Sequence, residues 1–505
     1  MAKDYAEKLA KGGRSIVIIF IIGVILGYGL RIFISRRLSV EEFGLFYSIL
    51  SIVGAFTIFK ELGLLSSIAI KIPEFLHSGK SGKIKTIIKK SLLIQFTAAL
   101  IIGTALIYLS SIILPSLQPS SITVLQIIAL SFIASVFFEI FRAGLQGLGD
   151  INFYTAVEPL RLSIIFAASF VLFSLGLGMV GLAIAYLAAA IILAIIVPIY
   201  FWLKHKELLK TPSIKVSRDE FAKFTAIIWM GSLLSAILSY ADTILLAFLR
   251  APKEAGFYQV ALPTSQLLTF FLYPIMIMLV PFVSEMWTKK NKELITNVTS
   301  FSVKILLIAL IPAAIILEAV SADIVRFIFG DKFIPAIPAL QILLVGMFFY
   351  SFTLLFTTVI LGISRIKDNV KVMAVMGVTN IVLDIILIPL YGAIGAAIAL
   401  STAFFLGAIV SLHLLRRQIK FIIQYKNTAK AFICGILTLF ILLQIKLLLN
   451  LGTLEEIVLL IVAACVIYFL LIIVTKTLDK RDFDLIERSN ILPKNLARMV
   501  RKFIR

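Results

Sequence analysis

Cysteine, histidine and charged residues are all scarce in this chain of 505 residues. Its two cysteines, Cys434 and Cys465, both fall within long apolar runs, which argues against a disulfide framework. The three histidines lie far apart in the sequence, so no metal site of clustered ligands is expected. Charged residues make up only 15% of the chain, whereas a soluble domain averages about 25%. This low share of charge excludes a water-soluble fold.

Apolar residues, by contrast, make up 61% of the chain, and the mean hydropathy is +1.07. Many of them form runs that are long enough to cross about 30 Å of hydrocarbon. Backbone groups in lipid must find hydrogen bonds within their own segment, so these runs predict helices. We therefore expect an all-α integral membrane protein with 14 transmembrane helices, near residues 15–35, 44–69, 91–113, 122–141, 152–175, 180–203, 224–249, 257–284, 299–319, 334–361, 372–390, 393–415, 431–445 and 454–475.

The distribution of lysine and arginine supports this count and predicts the orientation. With 14 spans, 37 of the 48 basic residues fall in the termini and alternate connections, and six fall in the opposite connections. Because cytoplasmic loops are enriched in basic residues, both termini are predicted to be cytoplasmic. The protein itself is expected in the cell membrane. The net charge of +21 is then a signal of topology, and no nucleic acid is expected as a partner. The basic tail, residues 476–505, is expected to lie as an amphipathic segment on anionic membrane lipids.

An internal repeat with an offset of 212 to 215 residues runs through the chain. The matching landmarks are Glu42, Gly44 and Phe46 with Glu254, Gly256 and Tyr258; Gly147 with Gly362; and Gly178 and Gly181 with Gly392 and Gly395. An offset of six helices predicts two parallel six-helix bundles around a central cavity, followed by two C-terminal helices. The expected parts are an N-terminal lobe at 1–210 (helices 1–6), a C-terminal lobe at 211–425 (helices 7–12), helices 13–14 at 426–475, and the tail at 476–505.

Three motifs of this sequence resemble those of a known membrane family. They are RLSVEEFGLF at 37–46, ADTILL with EAGFY at 241–258, and NIVLDIILIPLYGAIGAA at 380–397. They are similar to motifs of the multidrug/oligosaccharidyl-lipid/polysaccharide exporter superfamily, and within it of the polysaccharide or O-antigen flippases. The resemblance implies two lobes that open alternately to either side of the membrane. It implies a polyprenyl-linked oligosaccharide as substrate, with its head group in the central cavity and its lipid tail at a lateral portal.

Ionisable groups inside spans are costly, so each is a functional candidate. A diphosphate linker needs several cations in a cavity of low dielectric, a task that suits the planar guanidinium of arginine. The candidate cations for substrate binding are Arg31, Lys60 and Arg161. The repeat offset places Asp242 opposite position 30, so Arg31 and Asp242 are expected at similar depth on opposing lobes. They either face each other or each serve a ligand.

The carboxylates within the spans have two interpretations. A coupling proton or sodium ion needs a carboxylate whose state changes, and Asp242, Asp384 and Glu61 are the candidates for ion coupling or gating. Carboxylates three residues from an arginine share a helical face with it and can be neutralised locally. The possible structural pairs of this kind are Glu158 with Arg161 and Glu139 with Arg142.

We therefore predict a secondary transporter that flips a polyprenyl-(di)phosphate-linked oligosaccharide to the outer leaflet, and not an enzyme. A nucleotide motor is not expected, because GKSGK at 79–83 lacks the first glycine of a phosphate-binding loop: position 74 is Glu74. No cofactor or metal is expected besides the coupling ion. A monomer is predicted, with glycan-assembly proteins as candidate partners. The alternatives are a cation-coupled exporter of small molecules with the same fold, an integral-membrane glycosyltransferase, and a scaffold that does not transport.

Overall fold

A computed structural model describes residues 2–113, 119–214, 218–421, 425–449 and 454–475. The chain divides into two compact units, Met1–Gln259 and Val260–Arg505. Within the described ranges, regular structure is helical throughout, which confirms the all-α fold. The predicted tail at 476–505 lies outside the described residues. The predicted lobe boundary at residue 210 stays a prediction, and the first unit contains helix α10 and part of α11 in addition to that lobe.

The first unit is built from long helices joined by short connections. Its helices are α1 (Ala2–Arg37), α2 (Val40–Glu61), α3 (Leu64–His77), α4 (Gly82–Tyr108), α5 (Ser110–Ile113), α6 (Pro119–Gly147), α7 (Ile151–Ser174), α8 (Gly178–Lys204), α9 (Lys206–Lys210) and α10 (Arg218–Leu249). Helix α11 (Pro252–Gln266) begins in this unit and ends in the second. Within the unit, α6 packs on α8 and α4, α7 packs on α8 and α1, and α2 packs on α10.

The second unit repeats much of this plan. After a 3-10 segment (Leu267–Leu272), its helices are α12 (Tyr273–Thr288), α13 (Lys292–Ala319), α14 (Ser321–Ile324), α15 (Ile337–Gly362), α16 (Ile366–Tyr391), α17 (Ala393–Arg416), α18 (Tyr425–Leu449) and α19 (Leu454–Val474). A π-helical turn (Val325–Phe329) and a 3-10 turn (Asp331–Ala336) connect α14 to α15. Helix α17 packs on α15 and α16, and α18 packs on α13 and α19.

Among the described residues, eleven helices are long and apolar enough to cross a membrane. They correspond to eleven of the 14 predicted segments, so the exact count of 14 is not confirmed. The predicted eighth span is divided among α11, a 3-10 segment and α12. The described apolar parts of the last two predicted spans, Ala429–Ile445 and Leu459–Val474, are shorter than a full span. The chain is therefore a multi-pass membrane protein, whatever the final number of its spans.

Helix α2, the first part of the predicted second span, begins and ends at features encoded in its local sequence. Ser39 and Glu42 form a capping box at the start of α2, since Ser39 Oγ accepts from the Glu42 N–H at 3.2 Å and the Glu42 carboxylate accepts from the Ser39 N–H at 2.8 Å. Leu62 and Gly63, which follow the last residue of α2, both have positive φ, and α3 begins directly afterwards. The span is thus broken into two helices, as is its repeat counterpart α11–α12.

Two glycines that the repeat pairs with each other allow α2 and α11 to touch through their backbones. A Cβ on Gly44 would lie 1.8 Å from the Pro252 carbonyl oxygen, and a Cβ on Gly256 would lie 2.5 Å from the Val40 carbonyl oxygen. No side chain fits at either position. Farther along α2, a Cβ on Gly54 would lie 2.7 Å from the ring of Tyr240 on α10. Glycine therefore sets the distance between these helices.

The repeat landmarks Gly147 and Gly362 have equivalent surroundings in the two units. A Cβ on Gly147, at the end of α6, would lie 2.8 Å from Ile72 Cβ of α3. A Cβ on Gly362, at the end of α15, would lie 2.7 Å from Val283 Cβ of α12. Both contacts join the end of the fourth span of a repeat to its second span. The agreement supports the predicted duplication.

The Gly44 contact gives a prediction about stability. Gly44→Ala should lower the thermal unfolding midpoint of the purified protein in detergent, because overpacking of a close contact costs about 1–3 kcal/mol. Gly29→Ala is the matched control on a neighbouring helix, since a Cβ there meets nothing within 4 Å. Helix propensity alone favours alanine by up to about 1 kcal/mol, so the control should be neutral or stabilising. Equal midpoints for the two variants would show that the backbone contact does not contribute to stability.

Candidate functional site

The Arg31 side chain, on α1, is held by neutral groups. Its Nη1 donates to the carbonyl oxygen of Gln259 at 2.5 Å and to Gln259 Oε1 at 2.8 Å. The guanidinium carbon lies 4.0 Å from the centre of the Tyr47 ring, a cation–π contact. Among the described residues, Arg31 has no ion pair with a carboxylate. Its positive charge is therefore not compensated by direct contact with an acid.

Two adjacent residues of α11 bond to two adjacent residues of α10. The Tyr258 hydroxyl donates to the Asp242 carboxylate, and Gln259 Nε2 donates to Thr243 Oγ1 at 2.7 Å. Both acceptors are buried. Arg31 thus bonds to Gln259 and not to Asp242, whose carboxylate accepts from Tyr258. The two residues that were expected at similar depth are linked only indirectly. Arg31 bonds to Gln259, and the adjacent Tyr258 bonds to Asp242.

Lys60, near the end of α2, forms a buried ion pair with Glu139 of α6. Its Nζ lies 2.8 Å from Glu139 Oε2 and 2.9 Å from Oε1, and it also donates to Ser135 Oγ at 2.8 Å. Gln95 Nε2, on α4, donates to Glu139 Oε2 at 2.9 Å. The Lys60 side chain is only 1% exposed, and that of Glu139 is 18% exposed. Lys60 is therefore a neutralised charge in the core of the first unit.

The predicted pair of Glu139 with Arg142 does not form, because Lys60 and Gln95 occupy the Glu139 carboxylate. Arg142 instead donates from Nε to the Tyr154 carbonyl oxygen at 3.1 Å, and its Nη1 lies 3.6 Å from Glu158 Oε2. Spacing along one helix identified two charges that can meet. Packing between helices brought a better partner to Glu139.

Glu158 and Arg161 form an ion pair on α7. Arg161 Nη2 lies 2.6 Å from Glu158 Oε1, and Arg161 Nε donates to both carboxylate oxygens at 3.1 and 3.3 Å. Because Arg142 also approaches Glu158, one carboxylate serves two arginines. The side chains are 29% and 39% exposed, so this pair is more accessible than the Lys60 pair. The Nε and Nη2 groups of Arg161 are available to a ligand only if they leave Glu158.

The three candidate cations belong to one region of the first unit. Tyr186 on α8 lies within electrostatic range of both Arg31 and Arg161, and Arg161 lies within that range of Glu139. Lys60 bonds to the same Glu139. The structure thus places Arg31, Lys60 and Arg161 around a shared polar interior, but only Arg31 lacks a carboxylate partner among the described residues.

The candidate coupling carboxylates differ in their surroundings. Glu61 is half-buried at the end of α2 and interacts electrostatically with Lys60 and Glu139, without a hydrogen bond to any described residue. Asp242 is 3% exposed on α10, and Asp384 is fully buried on α16 of the second unit. Asn380 Nδ2, one turn earlier on α16, donates to Asp384 Oδ2 at 3.2 Å. Each carboxylate is therefore placed on a different helix.

The sequence-based selection of charged residues missed the neutral partners Tyr47 and Gln259. The repeat contains the signal that would have found them, because an offset of 212 takes Tyr47 to Gln259 and Arg31 to Thr243. In each repeat the first-span residue contacts the second-span residue: Arg31 lies over Tyr47, and Thr243 bonds Gln259. Gln95 and Ser135 were also missed, since nothing in their local sequence separates them from other polar residues in helices.

Comparisons with known proteins identify the family. The family model described as "Polysaccharide biosynthesis protein" matches residues 9–287, more than half of the chain, and the MatE model matches residues 228–386. The chain is 24% identical over 470 residues to the uncharacterized membrane protein MJ1068 of Methanocaldococcus jannaschii, covering 88% of this chain and 92% of that protein. It is 22% identical over 469 residues to the probable low-salt glycan biosynthesis flippase Agl15 of Haloferax volcanii, with the same coverage.

Among solved structures, the lipid II flippase MurJ in an inward closed conformation is similar in fold. Its TM-score is 0.75 at 18% identity, covering 90% of this chain and 97% of that one. At that level of identity, the likeness concerns the fold alone. The chain therefore shares the fold of that structure.

The Lys60–Glu139 pair gives a prediction about stability, which tests whether the pair accounts for the burial of Lys60. Lys60→Met should lower thermal stability strongly, because loss of one partner from a buried pair costs about 3–5 kcal/mol. Lys60→Met combined with Glu139→Gln should recover most of that loss, since Glu139 then carries no charge that lacks its partner. Lys289→Met is the control, because its pair with Glu285 is 61% and 59% exposed and should matter little. If the single and double variants are equally unstable, the pair does not account for the burial of Lys60.

Proposed function

The chain belongs to the polysaccharide biosynthesis protein family, and from that premise we propose that it flips a polyprenyl-(di)phosphate-linked oligosaccharide from the cytoplasmic to the outer leaflet by alternating access. It is a transporter of the flippase kind and not an enzyme, in keeping with the flippases among its relatives. The nature of the substrate is the proposal. It is supported by the chemistry of the polar interior of the first unit.

The observation that carries the proposal is the state of Arg31. A charge inside a span is costly unless a partner compensates it. Arg31 is half-buried and bound only to a neutral amide, a neutral carbonyl and an aromatic ring. An anionic oxygen adds charge attraction to the hydrogen bonds of a guanidinium, which neutral acceptors do not supply. Arg31 can therefore bind a phosphate or diphosphate more strongly than it binds its present neutral partners.

Lys60 and Arg161 have a secondary role in this proposal. Each already has a carboxylate partner at 2.8 Å or less, so a ligand must compete with that carboxylate. Arg161 is the more accessible of the two and shares Glu158 with Arg142, which makes it easier to release. We assign Arg31 the first contact with the phosphate, Arg161 a supporting contact, and Lys60 a contact that requires rearrangement of α2.

The transport cycle also needs an energy source, and we propose coupling to a proton or sodium gradient through Asp242, Asp384 or Glu61. Asp242 and Asp384 are buried in different units, where a change of protonation or ion occupancy has a large electrostatic effect. Glu61 sits at the break between α2 and α3, beside the Lys60–Glu139 pair. When it is ionised, its charge acts directly on that pair.

The second candidate function is a cation-coupled exporter of small amphipathic molecules. It is favoured by the match of the MatE model to residues 228–386. Such a substrate is a cation and calls for an interior dominated by free carboxylates. In the first unit Glu139 and Glu158 are both bound to basic residues, Asp242 accepts from Tyr258, and Glu61 lies beside the Lys60–Glu139 pair, whereas Arg31 is not bound to an acid. The charge pattern favours an anionic substrate.

The setting of this function is also part of the proposal. We place the chain in the cell membrane with both termini in the cytoplasm, as a monomer surrounded by membrane lipids. Its lipid-linked substrate would be supplied by glycan-assembly proteins on the cytoplasmic side. This orientation follows from the distribution of basic residues along the sequence.

Removal of the Arg31 charge tests the substrate assignment. Arg31→Gln should reduce transfer of a polyprenyl-diphosphate oligosaccharide in proteoliposomes by at least about tenfold, since a hydrogen bond to a charged group contributes about 1.5–3 kcal/mol. Arg37→Gln is the matched control, because it removes the same charge from an exposed position on the same helix. Arg31→Lys should retain part of the activity. Undiminished transfer by folded Arg31→Gln protein would refute the anion site.

The coupling assignment has its own test. Asp242→Asn or Asp384→Asn should abolish the response of the transfer rate to an imposed proton or sodium gradient, because the neutral side chain cannot exchange the ion. Glu293→Gln, at the exposed start of α13, serves as the control and should respond as the wild type does. A gradient response that stays unchanged in both aspartate variants would exclude these carboxylates from coupling.

A further inference from the structure

We propose that Gln259 occupies the position of the substrate phosphate on Arg31, so that substrate binding releases α11 from α1. The inference rests on the proposed function, because it requires an anionic ligand for Arg31. Gln259, a neutral residue, then competes with the substrate phosphate for Arg31. It also connects ligand binding to a contact between helices.

The first support is the geometry around Arg31 Nη1. Two oxygens of Gln259, its backbone carbonyl and its Oε1, converge on this one nitrogen at 2.5 and 2.8 Å. A phosphate presents oxygens in a similarly close group. Tyr47 meanwhile covers the face of the guanidinium at 4.0 Å and leaves its N–H edge available. A phosphate can therefore replace Gln259 without disturbing the stacking.

The second support is the fixed orientation of the Gln259 amide. Its Nε2 donates to Thr243 Oγ1 at 2.7 Å, which leaves Oε1 directed at Arg31. Both Gln259 and Thr243 are buried, at 8% and 1% exposure. The amide is therefore a preorganised acceptor, and its contact with Arg31 does not arise from a freely rotating side chain.

The third support is the strength that a neutral acceptor provides. An aspartate or glutamate at this position would hold Arg31 in a partly buried ion pair, which is costly to break. Gln259 accepts from Arg31 Nη1 as a neutral residue, and its bonds lack the charge attraction of a carboxylate. It stabilises the ligand-free state but yields to a diphosphate. Glutamine therefore suits a contact that must break in every transport cycle.

Loss of this contact has a mechanical consequence for α11. The helix is attached to α1 by the Arg31–Gln259 bonds and to α2 by the close approach of Gly256 to Gly44. Its last residue is followed directly by the 3-10 segment Leu267–Leu272, where the regular helix is interrupted. A ligand that binds Arg31 better when Gln259 is displaced shifts the population toward states with α11 detached from α1. Substrate binding and release of α11 are thereby coupled.

Binding measurements on the purified full chain in detergent test the competition, with farnesyl diphosphate as the probe. Gln259→Glu should weaken binding by at least tenfold, because it gives Arg31 a permanent counter-charge. Gln259→Leu should tighten binding by up to about tenfold, because it removes the Oε1 acceptor and leaves only the backbone carbonyl of residue 259 on Arg31 Nη1. Gln266→Glu is the matched control: it adds the same charge at an exposed position on the same helix and should change affinity less than twofold.

A distance measurement tests the release of α11. One spin label is placed at Arg37→Cys, the last residue of α1, and the other at Lys253→Cys, near the start of α11; both positions are exposed. Cys434 and Cys465 are first replaced by alanine, so that only the two introduced cysteines are labelled. The distance between the labels reports the separation of the two helices. Farnesyl diphosphate should lengthen this distance in the otherwise wild-type chain. In the Gln259→Glu background the same ligand concentration should leave it short. An unchanged distance at saturating ligand in the wild type overturns the proposed release.

The outcomes separate this inference from the function on which it rests. If the wild type binds the probe, Arg31→Gln does not, and both Gln259 variants bind like the wild type, then Gln259 is no competitor and the anion site survives. Thr243→Val gives an independent check, since loss of the amide's anchor should also tighten binding. If the wild type does not bind the probe, or Arg31→Gln binds it equally well, the anion site itself is refuted.

Discussion

A charge in the interior of a membrane protein must have a compensating partner, because neither lipid nor a dry core solvates it. That constraint arranges the polar interior of the first unit. Lys60 is matched with Glu139, and Arg161 and Arg142 share Glu158. The helices that carry these residues, α2, α6 and α7, are held in register by the pairs. Arg31 departs from the pattern, and its departure is the basis of the functional assignment.

The neutral environment of Arg31 also explains why function and conformation can be connected at one residue. An arginine with an acidic partner is fixed, and an arginine without any partner is costly. Arg31 lies between these limits, since Gln259 accepts two hydrogen bonds from its Nη1 and the Tyr47 ring covers its guanidinium, and neither residue neutralises its charge. Because Gln259 belongs to α11 and is bonded to α10, any ligand that takes its place acts on the contacts among three helices.

Glycine provides the second constraint, which is steric. The approach of α2 to α11 at Gly44 and Gly256 leaves no room for a side chain, and it places Tyr47 and Gln259, three residues beyond these glycines, on either side of Arg31. The duplication thus brings two equivalent segments together at one point. The equivalent packing of Gly147 and Gly362 in their separate units shows the same plan used twice.

Much of this molecule can be predicted from local sequence, because hydrophobic length, helix caps and glycine spacing act over one or two turns. Apolar runs predicted eleven membrane-length helices correctly, and the motif around Ser39 and Glu42 is a helix start that its spacing encodes. The break of the eighth span and the partners of the buried charges were not predictable in that way. Glu139 has Arg142 three residues away, yet it bonds to Lys60, 79 residues away in sequence, because α2 packs on α6. The sequence by itself determined which residues enter the membrane and which charges need partners. Only the tertiary structure decided which partner each charge received, since that choice depends on distances between helices, and it left Arg31 with an amide in place of an acid.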